Sequence, residues 1–310
     1  MINLDLVIVT YNRLEKLKKA LDCYEKQTCS FRNLILVDNC STDGTREFVD
    51  DWSKKQSPFP KIVIHTQENI GGAGGFYTGQ KEAMRLDADW VYVADDDAYA
   101  APDMVEKFYH FIDTHDVSRV SAVCGAVYGT DGTLSYGHRS FFKIENKRFV
   151  RWNAVDDDYH KDFFEINFLS YVGSFIRVAA MRRVGLVNRN YFIFYDDTEH
   201  SLRLKKYGPI YCVPVIKIEH ETIPTKTRVT NNYTVSWKDY YGCRNEMRML
   251  LKHYPSVAVS IFYSFFKHYF RDYSNRKKKK LVKDAYFDAL IGRMGIHSLY
   301  RPGWSMEISL

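Results

Sequence analysis

Among the six cysteines there is no C-x-x-C pair, the chain carries no G-x-x-x-x-G-K-[ST] run, and no uninterrupted apolar stretch reaches the roughly 18–20 residues that a bilayer-spanning helix needs. These absences exclude a disulfide-stapled architecture, a P-loop phosphate site and a chain that crosses a membrane by itself. Met1 leads directly into the apolar run Leu4 to Val9 without the basic, apolar, small-residue order of a signal peptide, so a reduced, cytosolic compartment is expected. Net charge is also slight. Forty-four basic residues against 38 acidic ones give +6, too little to imply nucleic acid without a concentrated patch. With 45% hydrophobic and 26% charged positions, disorder and collagen are excluded as well, and 310 residues suffice for one substantial domain plus an appendage. Aromatic rings are abundant: 23 Tyr and 20 Phe suit a sugar, base or membrane boundary, or a Tyr-rich core.

Leu4 to Thr10, Leu34 to Asp38, Ile62 to Thr66 and Trp90 to Ala94 are short runs rich in Val, Ile and Leu, separated by stretches of helical length. This alternation predicts an α/β fold with a mostly parallel sheet covered on both faces. The first helix is expected over Arg13 to Gln27, and Ser41-Thr42-Asp43-Gly44 supplies capping oxygens for the second. A helix from Pro102 to about His115 precedes a strand over Val120 to Val127, whereas Tyr128 to Phe164 fits no regular element. Tyr191 to Tyr195 reads as an extended run, Ile210 to Ile218 as an extended pair, and a soft boundary falls between Thr225 and Asn232, dividing the chain into 1–228 and 229–310.

In open α/β sheets, ligands lie beyond the carboxyl ends of the strands. There the sequence delivers Thr10-Tyr11-Asn12-Arg13, then Asp38-Asn39, then Asn69 with Gly71 to Gly75, then Asp95-Asp96-Asp97. Three adjacent carboxylates repel unless a cation or a cluster of donors offsets them. Alternate strand positions share a face, so Asp95 and Asp97 are candidates to grip one divalent ion while Asp96 points elsewhere; a solvated acidic turn is the alternative. Such an ion binds phosphates and improves a pyrophosphate leaving group, which suggests a nucleotide diphosphate donor. A second cluster, Tyr195-Asp196-Asp197-Thr198-Glu199, opens a helix. Two aspartates compete for one cap, leaving a carboxylate free to deprotonate an incoming hydroxyl. His220 ends a later strand, and an imidazole beside two carboxylates shifts metal preference from magnesium toward manganese.

Taken together, Val7-Ile8-Val9-Thr10-Tyr11-Asn12-Arg13, Val37-Asp38-Asn39-Cys40-Ser41-Thr42-Asp43-Gly44-Thr45 and Asp95-Asp96-Asp97 resemble, in order and spacing, the signatures of the inverting family 2 nucleotide-sugar glycosyltransferases with a GT-A fold. Asn69-Ile70-Gly71-Gly72-Ala73-Gly74-Gly75-Phe76 and Tyr195 to Glu199 resemble motifs of the galactofuranosyltransferase branch, with Tyr195 where that group carries Trp. The resemblance covers roughly residues 3 to 250. It implies a UDP-galactofuranose donor with Asp38 on the uridine, and Thr10, Arg13, Asn69, Gly71 and Asp96 lining the nucleotide site. It further implies Mn2+ or Mg2+ on Asp95, Asp97 and His220, Asp197 as general base, and Tyr195, Asp196 and Glu199 toward a cell-surface, lipid-linked glycan acceptor. Rhamnosyltransferases using dTDP-rhamnose share much of the plan, including Tyr240-Tyr241-Gly242-Cys243-Arg244-Asn245.

From Val257 to Phe270 an aromatic helix adjoins Lys267, Arg271, the run Arg276 to Lys280, and Lys283. This pattern suits a helical appendage lying peripherally on the inner, anionic leaflet of the cell membrane; a helix hairpin packed on the catalytic domain, or on a second subunit in a homo-oligomer, is the alternative. Competing functions are a nucleotidyltransferase releasing pyrophosphate, a non-catalytic carbohydrate-binding module and, with no recognition module visible, a nucleic-acid binder.

Overall fold

The structure, a computed structural model, describes residues 2–221, 232–267 and 276–309. Along β1 (Leu4–Thr10), Leu4, Leu6 and Ile8 enter one hydrophobic core while Val7 and Val9 enter another. The same division holds for β2 (Asn33–Asp38) and β4 (Trp90–Asp95), where even positions face the first core and odd positions the second. A strand apolar on both faces must be covered on both. The first face is closed by α1 (Leu14–Glu25), α2 (Thr45–Ser53) and α4 (Met104–Thr114), through Leu17, Leu21, Val49, Trp52 and Phe108. Phe76 and Ala83 of α3 (Gly71–Arg85) and Met181 of α6 (Val178–Val184) close the second. Each large apolar side chain fully buried this way contributes about 1.5–3 kcal/mol.

The sheet also contains β3 (Lys61–His65), β5 (Ala98–Ala100), β6 (Ala122–Gly129), β11 (Ser174–Arg177) and β12 (Ile210–His220), and its order is β3-β2-β1-β4-β11-β6-β12-β5, with β9 (Phe164–Ile166) paired to β12. β3, β2, β1 and β4 are mutually parallel; β11 runs antiparallel between β4 and β6, and β12 runs parallel to β6. Thr10, Asp38, Asp95 and His220 therefore leave the sheet at the same edge. The α/β architecture with helices on both faces is as expected.

Three segments differ from expectation. Ile210 to His220 is one strand, irregular between Cys212 and Lys217, where a pair was expected. The unassigned region holds a hairpin of β7 (Arg139–Glu145) and β8 (Arg148–Asn153), to which β10 (Phe168–Leu169) adds an edge, and the short helix α5 (Asp156–Tyr159). Tyr191 to Tyr195 is not extended: Arg189–Tyr191 form a 3-10 turn, and Phe192, Phe194 and Tyr195 are left-handed at φ 66°, 64° and 63°.

Beyond α7 (Asp196–Leu204), the C-terminal region comprises α8 (Trp237–His253), α9 (Ala258–Lys267), α10 (Arg276–Ile291) and a ribbon of β13 (Asn232–Ser236) with β14 (Ser305–Ser309). It is the expected helical appendage, yet Met247 and Leu250 of α8 share a core with Ala73 of α3, Tyr191 and Leu202 of α7. The expected division between 228 and 229, and His268, Tyr269, Phe270 and Arg271 of the aromatic-basic stretch, lie outside the described residues. Among the described residues no helix is long and apolar enough to cross a membrane.

Candidate active site

β4 ends at Asp95, so Asp95 and Asp97 do not sit on alternate positions of a strand; Asp96 and Asp97 form the turn into β5. β5 pairs antiparallel with the end of β12, and the register Ala98 to His220 carries the imidazole to the acids. Ligand atoms of Asp95, Asp97 and His220 all lie within 4.8 Å of one another. His220 Nε2 stands 3.1 Å from Asp97 Oδ1, and its Nδ1 is buried without a hydrogen-bond partner. Two carboxylates and an imidazole, with a buried ring nitrogen still unsatisfied, fit a divalent ion of the magnesium or manganese type.

The remaining oxygens of the triplet are held by cations and donors from the first strand-to-helix turn. Thr10 Oγ1 donates to Asp96 Oδ2 at 2.8 Å, and Arg13 Nη1 donates to Asp96 Oδ1 at 3.0 Å and to Asp97 Oδ2 at 2.7 Å. Lys16 Nζ reaches Asp97 Oδ2 at 3.5 Å. Burial works against the Asp97 charge, but the His220 hydrogen bond and the charges of Arg13, His220 and Lys16 outweigh it and hold the carboxyl below its ordinary value. Asp95 moves the other way, raised first by burial and then by the charge of Asp97.

A 210 Å³ pocket beside the triplet is lined by Thr10, Tyr11, Arg13, Asn69, Gly71 and Asp96, and also by Asn39. Asp38 is not on its wall. It is fully buried, its Oδ1 accepting from Ser41 N at 3.0 Å and its Oδ2 lying 2.8 Å from His65 Nδ1. Asn39 organises the rim: its Nδ2 donates to Asn69 Oδ1 and to the Gly71 carbonyl, each at 3.1 Å, and its Oδ1 accepts from Ile70 N at 3.0 Å. Gly71 has φ +74°, and a Cβ there would stand 2.1 Å from the Phe192 carbonyl oxygen. Only glycine lets the first turn of α3 close on the loop that carries the second acidic cluster.

That second cluster opens α7. Tyr195 occupies the N-cap position with no side-chain capping bond, and both aspartates stand in the first turn. Asp197 Oδ1 accepts from Thr198 N at 2.6 Å and from Thr198 Oγ1 at 3.1 Å. Burial raises both Asp196 and Asp197; the charge of Asp197 raises Asp196 further, while the Thr198 hydrogen bonds and the charges of Arg151 and Arg139 offset part of the rise at Asp197, and among the described residues neither makes a salt bridge. The preceding left-handed residues cost about 1–2 kcal/mol each relative to right-handed backbone. A buried chain supports the site from below: Gln80 Nε2 donates to Tyr171 Oη at 3.2 Å, and Tyr171 Oη lies 2.5 Å from His200 Nδ1. His200 Nε2 faces the Gly185 carbonyl at 3.1 Å, which assigns the ring proton to Nε2 and makes Tyr171 the donor to Nδ1.

Both clusters meet. Asp95, Asp97 and His220 line the same 710 Å³ cavity as Tyr195, Asp196 and Asp197. Glu199 does not reach it. Fully buried, it binds Arg203 through Oε2 at 2.8 Å and Lys252 and His253 through Oε1 at 3.0 and 2.9 Å, an arrangement that holds it below its ordinary pKa against the effect of burial. The acceptor contact expected of Glu199 is therefore corrected to a tie between α7 and α8. Sequence reasoning also missed Lys16, Arg151 of β8, and Trp237 and Lys238 of α8, all of which line the cavity or the pocket. None stands in a motif, and only the fold brings them there.

A profile of the glycosyl transferase family 2 matches residues 5–185. Galactofuranosyltransferase GlfT1 of Mycolicibacterium smegmatis is 28% identical over 211 residues, 65% of this chain and 65% of that relative's length. The dTDP-rhamnosyl transferase RfbF of Shigella flexneri is 23% identical over 268 residues, 84% of this chain and 83% of its own. The crystal structure of GalNAc-T7 with UDP, GalNAc and Mn2+ superposes with a TM-score of 0.65 at 12% identity, covering 94% of this chain and 56% of that one, which makes the arrangement that of the GT-A glycosyltransferases.

Proposed function

The chain belongs to glycosyl transferase family 2 and is a transferase enzyme, and on that premise we propose that it moves galactofuranose from UDP-galactofuranose to a hydroxyl of a cell-surface, lipid-linked glycan with inversion at the anomeric carbon. The observation that carries this reading is the single cavity lined by both acidic clusters. Asp197 takes the proton of the acceptor hydroxyl as its oxygen attacks the anomeric carbon. The bond from that carbon to the diphosphate oxygen breaks, and UDP leaves on the opposite side. A carboxyl raised toward neutrality by burial is better matched to this transfer than an ordinary one. Mn2+ or Mg2+, bound by Asp95, Asp97 and His220, would neutralise charge on the departing diphosphate. Thr10 and Arg13 hold Asp96 and Asp97 in place at the nucleotide end, and Asn69 and Gly71 keep the pocket rim close to the donor. Asp38 acts on the uridine end by fixing the loop through Ser41 and His65. Tyr195 and Asp196 face the acceptor.

A dTDP-rhamnose donor is the second reading, supported by the 84% of the chain matched by the rhamnosyl transferase relative. We further propose peripheral attachment to the inner face of the cell membrane. Exposed Phe262, Tyr263 and Phe266 of α9, and Phe287, Leu290 and Ile291 of α10 with Lys283 beside them, support it.

The test is a panel of UDP and dTDP sugars, furanose and pyranose, assayed for released nucleotide with manganese, magnesium and chelator. Release of UDP from UDP-galactofuranose, lost with chelator, is expected. Turnover of dTDP-rhamnose alone would replace the donor assignment, and release of pyrophosphate from a nucleoside triphosphate would end it.

A further inference from the structure

The segment Tyr240-Tyr241-Gly242-Cys243-Arg244-Asn245 has no task in the reaction as described, yet its polar groups are committed almost completely. Asn245 is fully buried, and its Nδ2 donates to the backbone carbonyls of Tyr191, Ile193 and Phe194 at 2.9, 2.8 and 2.9 Å. Arg244, also buried, donates from Nε to Asn245 Oδ1 at 3.0 Å, which fixes the side of the amide that faces the loop. Its Nη1 donates to the Gly295 carbonyl at 2.7 Å and its Nη2 to that of Tyr191 at 3.4 Å. On the far side, Tyr240 Oη donates to Asp288 Oδ2 at 2.6 Å and Tyr241 Oη accepts from His297 N at 2.9 Å. This stretch of α8 thus joins α10 and the chain after it to the loop ahead of Asp196.

That loop is the unusual part of the backbone. Phe192, Phe194 and Tyr195, none of them glycine or asparagine, are left-handed, a conformation such residues keep only when their surroundings over-determine it. The backbone turns so that three carbonyls converge on one point, where buried oxygens need donors. The two N–H groups of one primary amide, shared among the three carbonyls, and Arg244 Nη2 on that of Tyr191 meet that need; an apolar side chain of the same size would not.

We propose that Arg244 and Asn245 are positioning residues, which clamp the left-handed loop over 192–195 and so aim Asp197 into the cavity. The proposal rests on the reading of Asp197 as the general base. It assigns a catalytic consequence to a C-terminal helix that contributes no proton transfer of its own.

Two measurements on the full chain test it. In Asn245→Ala, hydrogen exchange at the amides of Ile193 and Glu199, which bond within the loop and to Tyr195, should quicken by about tenfold or more while amides of the central sheet stay unchanged. In the same variant kcat should fall by about 10- to 100-fold with donor KM within about twofold, the pattern of a misaimed base. Arg244→Lys and Asn245→Ser, which keep some of the donors, should give intermediate losses, and they carry the test if the alanine variant does not fold. Unchanged loop exchange would overturn the clamp and leave the base assignment standing. Normal kcat with quickened exchange, or kcat and donor KM worsening together in step with lost stability, would overturn the catalytic consequence. Quickened exchange together with full turnover in Asp197→Asn would instead overturn the base assignment.

Discussion

Around Asp97 stand Arg13, Lys16 and His220, whereas Asp197 is met by Thr198 and the start of its own helix and makes no salt bridge among the described residues. Each cluster contains adjacent aspartates at the end of a buried element, and the two share one cavity. Cations hold Asp97 below its ordinary value despite its burial, whereas desolvation raises Asp197 against the Thr198 hydrogen bonds and the charges of Arg151 and Arg139. Two pairs of adjacent aspartates are thereby given different chemistry by what the fold packs against them. An ionised acid suits a site for a cation and a diphosphate, and an acid poised to hold a proton suits a base.

The largest test of that contrast is Asp197→Asn, expected to lower kcat by about 10²- to 10⁴-fold while donor binding survives, as read by released nucleotide against calorimetry. Near-normal rates would erase the distinction. Next comes the tie between α7 and α8. Replacing Glu199 with Gln leaves Arg203, Lys252 and His253 without their counter-charge and should cost about 3 kcal/mol in denaturant unfolding. A carboxyl held below its ordinary value contributes stability above the unfolded pKa that is lost as pH falls, so the wild type should lose more stability than the Gln variant on acidification below 4.5. Gly71→Ala forces a methyl group into the Phe192 carbonyl and should reduce stability by about 1–3 kcal/mol, with lower turnover as the loop shifts. The smallest effect concerns Asp196, raised by burial and by the charge of Asp197. A raised carboxyl favours the folded state at low pH and loses that contribution as pH rises through the folded value. Asp196→Asn should therefore gain stability relative to wild type between pH 5 and 8, by about 1 kcal/mol in thermal melts.

The parallel half of the sheet was readable because β1, β2 and β4, apart from Asp5 and Asn33 near the starts of β1 and β2, carry unbroken apolar runs that end in polar residues, which is what a strand covered on both faces must look like. Alternation along a strand predicts Asp95 and Asp97 on one face, and the resemblance adds His220; the three do come together, but through a turn and the β5–β12 register rather than through alternation. The β7–β8 hairpin escaped because most of β8 faces solvent, and its residues alternate too weakly to set a period. Tyr191 to Tyr195 misled for a different cause: five apolar and aromatic residues carry strand propensity, and the groups that override it, above all Asn245, lie some fifty residues away. Glu199 shows the same limit. Its motif position suggested a ligand contact, and only the arrival of Lys252 and His253 from α8 gives it another task.

The division of labour between the two clusters is tested most directly by titrating UDP-galactofuranose, with and without Mn2+, into the Asp97→Asn and Asp197→Asn proteins in parallel. Asp97→Asn should lose the manganese-dependent part of donor affinity, whereas Asp197→Asn should bind donor with manganese as the wild type does. Manganese-dependent affinity retained in the first and lost in the second would contradict the account.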